Sequence, residues 1–514
     1  MSTLFRHQNA GGFYGNTKLG SMVNPKPLVD ISAAVLVKDL SSVESAIFLI
    51  PTVLFETLIC AAVLGEHTLV CRTLVWNWPF EAMSFGCMLP IKDNKVNFQK
   101  LKSVFSNYKS GVGAAILLAV GDMKNTKLKL VDIRDFDVDY QLTALCAQIS
   151  TSSLQKRGDF KARANNEQLT KKAAVKLRSK LPVYKDPLKI LIDGMIDSEN
   201  SLGVLAALRL HSVCPVSMKC CNTSCISIGP QMTRQVLSEL DPKYCCGVNI
   251  SMNMLQYEGL ISVIPEISKL SNLRALGVSY NLIKFSHDLR VVEQNDSNFV
   301  DLFSKLSQLK RLDLNHNWIG GSLRKLLKGI LRSLQYLDLR MCTLSAADIA
   351  YLATCQHTRE MEELLLSNNK LSECTESAFT LIINCSETLK HLWMNTCKLG
   401  LVPGVANRLV HAIVNCPYLQ TLSIAGNDLT EIDLLKILKA CVQLPCMGQV
   451  IISPPSDHIQ DINILNNHIE NFLQKCEKIV DGGSMSILCD DLEFYDSDLY
   501  TSVNVNGRYL TKLL

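Results

Sequence analysis

The side chains with the greatest chemical potential in this 514-residue chain are its twenty cysteines and ten histidines. Six of the cysteines, Cys214, Cys220, Cys221, Cys225, Cys245 and Cys246, fall close together with His211 beside them. That set holds ligands enough for one zinc, but it lacks the paired C-x-x-C knuckles from which structural zinc sites are built. Adjacent cysteines alternate more naturally between the two faces of a short strand, so no metal is expected. The chain also has no G-x-x-x-x-G-K-[ST] loop, G-x-G-x-x-G fingerprint, H-E-x-x-H helix or G-x-S-x-G elbow. Its histidines are scattered, with none beside a cysteine and a carboxylate in a nucleophile pattern. The expectation is a chain with no catalytic residues and no cofactor, and therefore not an enzyme.

The thiol count also bears on compartment. Disulfide frameworks belong to short secreted chains with a signal peptide, whereas Met1 to Gly20 is polar and glycine-rich and has no apolar h-region. Reduced cysteines place the chain in the cytoplasm, with the nucleus left open. Fifty-two basic against 48 acidic side chains give a net charge of +4, too balanced for a dedicated nucleic-acid binder. Apolar residues make up 47% and aromatic residues only 6%, so a large core must be built from aliphatic side chains. The run AIFLIPTVLFETLICAAVL, Ala46 to Leu64, approaches the length of a membrane span. Glu56 at its centre and Pro51 in its first half argue instead for a helix outside the bilayer that starts near Thr52. On that helix Leu54, Leu58 and Ala61 or Ala62 share one face. No membrane partner is expected.

The elements that would carry any site are set by a repeat. LSNLRALGVSYNLI from Leu270, LSQLKRLDLNHNWI from Leu306, LRSLQYLDLRMCTL from Leu331, MEELLLSNNKL from Met361, LKHLWMNTCKL from Leu389 and LQTLSIAGNDL from Leu419 share one pattern. All match L-x-x-L-x-L-x-x-(N/C)-x-L, the strand signature of leucine-rich repeats. The Asn/Cys positions, Asn281, Asn317, Cys342, Asn369, Cys397 and Asn427, are separated by 36, 25, 27, 28 and 30 residues. A period near 28 leaves room for a helix between strands, as in the long repeats of ribonuclease inhibitor. The longest interval carries a polar insertion, VVEQNDSN. No single repeat buries its apolar face alone, so stacked neighbours must build one continuous core. Cys342 and Cys397 fill the Asn/Cys column, while Cys385, Cys416 and Cys441 close helices as small buried hydrophobes.

Upstream, KLKLVDIRDF from Lys127 and VLAALRLHSVC from Val204 carry the strand pattern in degenerate form, and LISVIPEISKL from Leu260 reads as a helix. Between the first two lies Gln155 to Lys189, with eleven basic against three acidic residues. It lacks interleaved aromatics for base stacking, so a solvated surface insertion is expected, with nuclear import or nucleic-acid contact the alternatives. LRKLL, Leu323 to Leu327, matches a nuclear-receptor box but sits where repeat leucines are core. Side chains between the buried leucines should line the concave face. One row reads Gly277, Asp313, Asp338, Leu365, Trp393, Ser423; the next reads Ser279, Asn315, Arg340, Ser367, Asn395, Ala425. Interface hot spots favour Trp and Arg, so Trp393, Leu365 and Arg340, with Asp313 and Asp338, form the candidate substrate-binding patch.

The segment Ile50 to Leu89 resembles the N-terminal module of the PRAME and leucine-rich-repeat-containing-14 family. Members there carry a leucine-proline-x-x-leucine-phenylalanine helix followed by a tryptophan-proline-phenylalanine turn. The matching residues are Ile50-Pro51 through Leu54-Phe55 and Trp78-Pro79-Phe80. The later segments follow in the family's order over roughly residues 45–500, and the 14-like branch fits better. The resemblance implies a substrate receptor of a cullin-2 ubiquitin ligase. An N-terminal helix would dock elongin B/C, a nearby motif would contact the cullin, and the repeats would hold a protein substrate. It carries over to Leu54 and Leu58 as elongin contacts, with Leu58 where cysteine is more common, and to Trp78, Pro79 and Phe80 as a cullin contact. Read from the residues alone, the leucines could equally pack the cap onto the first repeat, and the Trp-Pro-Phe turn could be a buried corner. The 14-like branch also implies an alternative, a regulator that binds a signalling kinase and restrains NF-κB signalling.

The expected architecture is thus an α/β leucine-rich-repeat solenoid with an N-terminal helical cap. Residues 1–25 are expected to be disordered and 26–125 to form the cap. Degenerate repeats occupy 126–260 around the basic insertion 155–189, regular repeats fill 261–445, and a C-terminal cap with an acidic tail ends the chain over 446–514.

Overall fold

A computed structural model of the chain describes residues 28–85, 95–107, 110–125, 127–134, 136, 139–155, 170–181, 183–284, 302–455, 462–480 and 485–489. The N-terminal 1–25, residues 156–169 of the basic insertion, the VVEQNDSN insertion and the acidic tail lie outside these residues. The chain divides into two compact units between Asn253 and Met254. Both are α/β leucine-rich-repeat structures.

The first unit opens with helices Leu28–Leu36, Leu40–Ala46, Phe55–Leu64 and Thr68–Trp76. A parallel sheet follows, built from β1 (Ala82–Ser84), β2 (Leu130–Asp132), β3 (Leu188–Ile196), β4 (Val216–Cys225) and β5 (Gly247–Asn249) in that order. Three phenylalanines, Phe85, Phe105 and Phe136, meet with ring centroids 4.3–5.4 Å apart and close the core beside β1. The segment at Val204 is not a strand: Ser201–Leu210 is a helix. Its apolar residues suit a 3.6 period as well as a 2.0 period, and alanine and leucine there favour the helix. The strands on either side are β3 and β4. Part of the basic stretch is built as well. Lys171–Lys180 is a helix capped by Thr170, whose hydroxyl accepts from the Ala173 N–H. Leu177 and Leu181 pack on Leu154, Leu210, Val213 and Cys214, while four of its five basic side chains are exposed.

The second unit starts with helix Gln256–Ile267 and continues with β6 (Ala275–Gly277), β7 (Arg311–Asp313), β8 (Tyr336–Asp338), β9 (Glu363–Leu365), β10 (His391–Trp393) and β11 (Thr421–Ser423). Two further strands, β12 (Gln449–Ile452) and β13 (Ser486–Cys489), stand where a cap was expected and continue the parallel register. Helices such as Ala346–Thr354, Thr375–Asn384, Val405–Ile413 and Glu431–Val442 connect the strands. The middle leucines Leu276, Leu312, Leu337, Leu364, Leu392 and Leu422 are all buried.

What joins one repeat to the next is the Asn/Cys column. Asn317 donates through Nδ2 to the Val278 carbonyl of the preceding repeat at 3.0 Å and to its own Leu314 carbonyl at 2.9 Å. Its Oδ1 accepts the Ile283 N–H at 3.1 Å. Asn369 and Asn427 repeat this, reaching the Leu339 and Met394 carbonyls at 2.8 and 2.7 Å. Cys342 and Cys397 reach the Leu314 and Leu366 carbonyls through Sγ at 3.3 and 3.4 Å, a weaker donor with no carboxamide oxygen to accept in return. Immediately before each ladder residue the backbone turns left-handed, at Tyr280, His316, Met341, Asn368, Thr396 and Gly426, with φ between 51° and 65°. Five of the six carry a side chain at a conformation that ordinarily suits glycine. Sequence reading missed one ladder member. Asn253, in the first unit, donates to the Cys225 carbonyl at 2.8 Å and accepts from the Ile228 N–H at 2.9 Å.

Candidate functional site

Two surfaces come into question, one in each unit. In the first unit the helix expected near Thr52 begins as a single 3-10 turn, Thr52–Leu54, behind Pro51, and runs on as Phe55–Leu64. Leu58 faces inward and is 3% exposed, while Leu54 is half-buried at the end of the turn. The expectation that the two share a presented face is therefore corrected: Leu58 is a core residue.

Trp78 is likewise a corner residue, 1% exposed. Its indole Nε1 donates to the Ala82 carbonyl at 2.9 Å, and its ring stands edge-on to Phe55 and Phe80 at 6.2 and 5.9 Å. The Asn125 carboxamide donates to the Val75 and Trp78 carbonyls at 3.0 and 2.9 Å, locking the turn from helix into β1. Pro79 is half-buried and Phe80 is partly exposed at the rim. Among the apolar side chains this unit presents, three lie just upstream: Phe48 at 88%, Leu49 at 83% and Val53 at 74%. Large exposed apolar residues close together in the chain are the kind of feature that marks an interaction surface. Among the described residues, no helix is long and apolar enough to cross a membrane.

In the second unit the ladder register brings Gly277, Asp313, Asp338, Leu365, Trp393 and Ser423 into one row. The expected exposure of Leu365 is overturned. It is 8% exposed and packs with Ala275 and Tyr336, and Trp393 leans against the same cluster. Strands about 4.8 Å apart let large rings in one row cover smaller side chains in the next. Asp338 is also fully buried. Arg340 grips it in two directions, Nε to Oδ1 at 3.0 Å and Nη2 to Oδ2 at 2.7 Å, and the Tyr336 hydroxyl donates to Oδ2 at 3.4 Å.

Arg311, missed from sequence, lies with its guanidinium 4.2 Å from the Tyr336 ring and donates to Glu363 at 3.2 Å. Asp313 accepts the Asn315 backbone N–H at 2.9 Å. Burial, and then the negative charge of Asp338, push the Asp313 carboxyl up to about 7. The face is thus a polar network around an aromatic patch.

The cysteine cluster has no such accessibility. Cys214, Cys220, Cys221, Cys225 and Cys245 are buried, the middle three on β4, which is covered on both faces over most of its length. Burial pushes the thiols of Cys214, Cys220 and Cys221 up to about 11, 12 and 12, away from the thiolate a metal requires. Among the described residues no group of three or more His, Cys, Asp or Glu is placed to hold a metal.

Two units of stacked strand-and-helix repeats with a presented strand face define a leucine-rich-repeat, protein-binding architecture. Residues 25–141 match the PRAME N-terminal domain and residues 188–479 the PRAME C-terminal domain. The second match spans more than half the chain, and the chain belongs to the PRAME family. It is similar to leucine-rich repeat-containing protein 14 of Xenopus laevis, 26% identical over 456 residues, covering 84% of this chain and 88% of the relative. The Homo sapiens protein of that name is 23% identical over 426 residues, covering 80% and 84%. Oogenesin-3 of Mus musculus is 22% identical over 472 residues, covering 90% and 88%.

Proposed function

We propose that the chain is a non-enzymatic adaptor, the substrate-recognition subunit of a cullin-2 ubiquitin ligase, that acts in the cytoplasm. Its N-terminal module docks elongin B/C, and the strand face of its second unit captures a protein substrate. The observation that supports this most is the exposed group Phe48, Leu49 and Val53, which lies directly before Leu54 and Leu58, where the family resemblance puts elongin docking. Apolar anchors from a short helical segment seated in a partner's groove are an ordinary mode of recognition. Leu54 borders this run, whereas Leu58 supports it from inside. Phe80 is the exposed member of the Trp78-Pro79-Phe80 corner, and the cullin contact is assigned to it.

The test is co-purification of elongin C with the full chain from cells. The Phe48→Asp and Val53→Asp pair should abolish capture while the thermal midpoint stays within about 2 °C, since both side chains face solvent. Leu58→Ala is the wrong probe, because it opens a core cavity costing about 2–5 kcal/mol. If the parent chain never captures elongin C, the ligase reading fails, and the kinase-binding regulator implied by the 14-like resemblance takes its place.

A further inference from the structure

The charges on the strand face of the second unit do not balance. Asp338 is taken by Arg340 and Glu363 by Arg311. Asp313 is the third carboxylate and is left with neutral donors, the Asn315 backbone N–H and the neighbouring Ser279 hydroxyl. Beside it in the row stands Gly277, which has no side chain to cover it.

A second observation is independent of charge. Asn315 is 6% exposed, and its side-chain Oδ1 is buried without a hydrogen-bond donor. Asn395 occupies the same row, and there the oxygen is satisfied twice: by the Ser423 hydroxyl at 2.7 Å and the Ala425 N–H at 3.0 Å. At Asn315 the corresponding N–H belongs to Arg340, and it donates to Asp338 at 3.0 Å instead. The face therefore holds two neighbouring acceptors, a carboxyl and a carboxamide oxygen, that both lack a strong donor. A buried acceptor without a partner is unfavourable, and an incoming donor would relieve it.

Three strands along the row stands the half-buried Trp393 with the Leu365 and Tyr336 cluster. At about 4.8 Å per strand this lies about 14 Å from Asp313. An extended chain crossing the strands covers that distance in about four residues and returns its side chain to the same side.

We propose that this face binds an extended segment of a partner protein that presents a lysine or arginine to Asp313 and Asn315 and, four residues away, an apolar side chain to Trp393. Asp338 and Arg340, already paired, form the floor between the two anchors. The inference rests on the strand face being the capture surface of the proposed adaptor, and it specifies the chemistry of what is captured.

The probe is a fluorescein-labelled acetyl-Lys-Ser-Gly-Ser-Leu-amide peptide, titrated against the full chain by fluorescence anisotropy up to millimolar protein. The counterpart with Glu in place of Lys is the control. The Lys peptide should bind and the Glu peptide should not. Asp313→Asn, a neutral near-isostere, should weaken Lys-peptide binding at least tenfold, as should Asn315→Ala to a smaller extent. Trp393→Ala should weaken it through the apolar anchor. No binding of the Lys peptide by the parent chain, equal binding of the Glu peptide, or unchanged binding in both Asp313→Asn and Asn315→Ala overturns the proposal. Elongin C capture is measured on the same variants. If it persists while the peptide result fails, the cation site alone is wrong and the adaptor reading stands.

Discussion

An Asp-x-Arg pair closes on itself in each unit, and the two copies have different surroundings. On β2, Arg134 grips Asp132 through Nε and Nη2 at 2.8 and 2.6 Å. The residue across the ladder is Leu191, and the nearby Asp193 takes two donors from Asn222. On β8 the Asp338–Arg340 pair has the same form, but the residue across the ladder is another carboxylate, Asp313. One pair faces an apolar side chain across the ladder; the other faces a second carboxylate. A local ion pair is thus compatible with a purely structural role, and what it is next to decides whether the surface has unmet demand.

The units also differ in how they hold together. The first relies on aromatic side chains, with Trp78 clamped between Phe55 and Phe80 and three phenylalanines beside β1. The second relies on the carboxamide column that joins successive repeats. The largest expected effect breaks the first arrangement. Trp78→Ala should lower unfolding stability by about 3–5 kcal/mol, read from the midpoint of denaturant unfolding of the full chain. A loss under about 1 kcal/mol would mean that the corner is not a core element.

The next tests the second arrangement. Asn369→Ala removes bonds to two buried carbonyls and to the Leu344 N–H, and should cost about 1–3 kcal/mol. Cys397→Ala, which removes only weak thiol contacts, should cost less. Equal losses would contradict the claim that the carboxamide does the joining.

The smallest effect compares the two ion pairs. The folded-state value of Asp313 is about 7 against 3.8 for the free group, so the folded chain holds a proton there that the unfolded chain releases. That proton's contribution is fully present below pH 4 and is lost as pH rises toward 7. Asp313→Asn should therefore be close to neutral below about pH 4, should become stabilising as pH rises toward 7, and should be clearly stabilising at pH 8. Asp132→Asn, at a partly exposed pair, should destabilise by about 1 kcal/mol or less at pH 8. Opposite signs at pH 8 sharpen the comparison, and matching signs would break it.

The repeats themselves were legible because they impose two strict periods, the leucine spacing within a strand and the near-28 spacing between them. The first unit was harder to read. At Val204 to Leu210 an alanine- and leucine-rich run satisfies helix and strand periods alike, and β3 hid at the end of a basic stretch whose charges drew attention away from LKILIDGMI. β12 and β13 lack the Asn that flagged the other repeats. On the candidate surfaces, sequence placed the right row of residues but could not say which were covered. Leu365 is hidden by Tyr336 and Trp393, which come from neighbouring strands, and Leu58 lies on the buried face of its helix with Phe55, Ile59 and Ala62. The Asp313 imbalance becomes visible only once the ladder sets β7 beside β8.

The left-handed turn before each ladder residue has a consequence for how such a chain changes length. In all six regular repeats the ladder residue lies five positions after the middle leucine of the strand, whereas ladder residues themselves lie 25 to 36 apart. One residue added before the ladder would move the left-handed position onto the wrong side chain and swing the carboxamide off its carbonyl. One added beyond the next two residues, which carry a second left-handed position and the N–H that the following carboxamide accepts, disturbs neither. The molecule can therefore acquire new segments only downstream of each turn, and grafted loops or reporter peptides belong there.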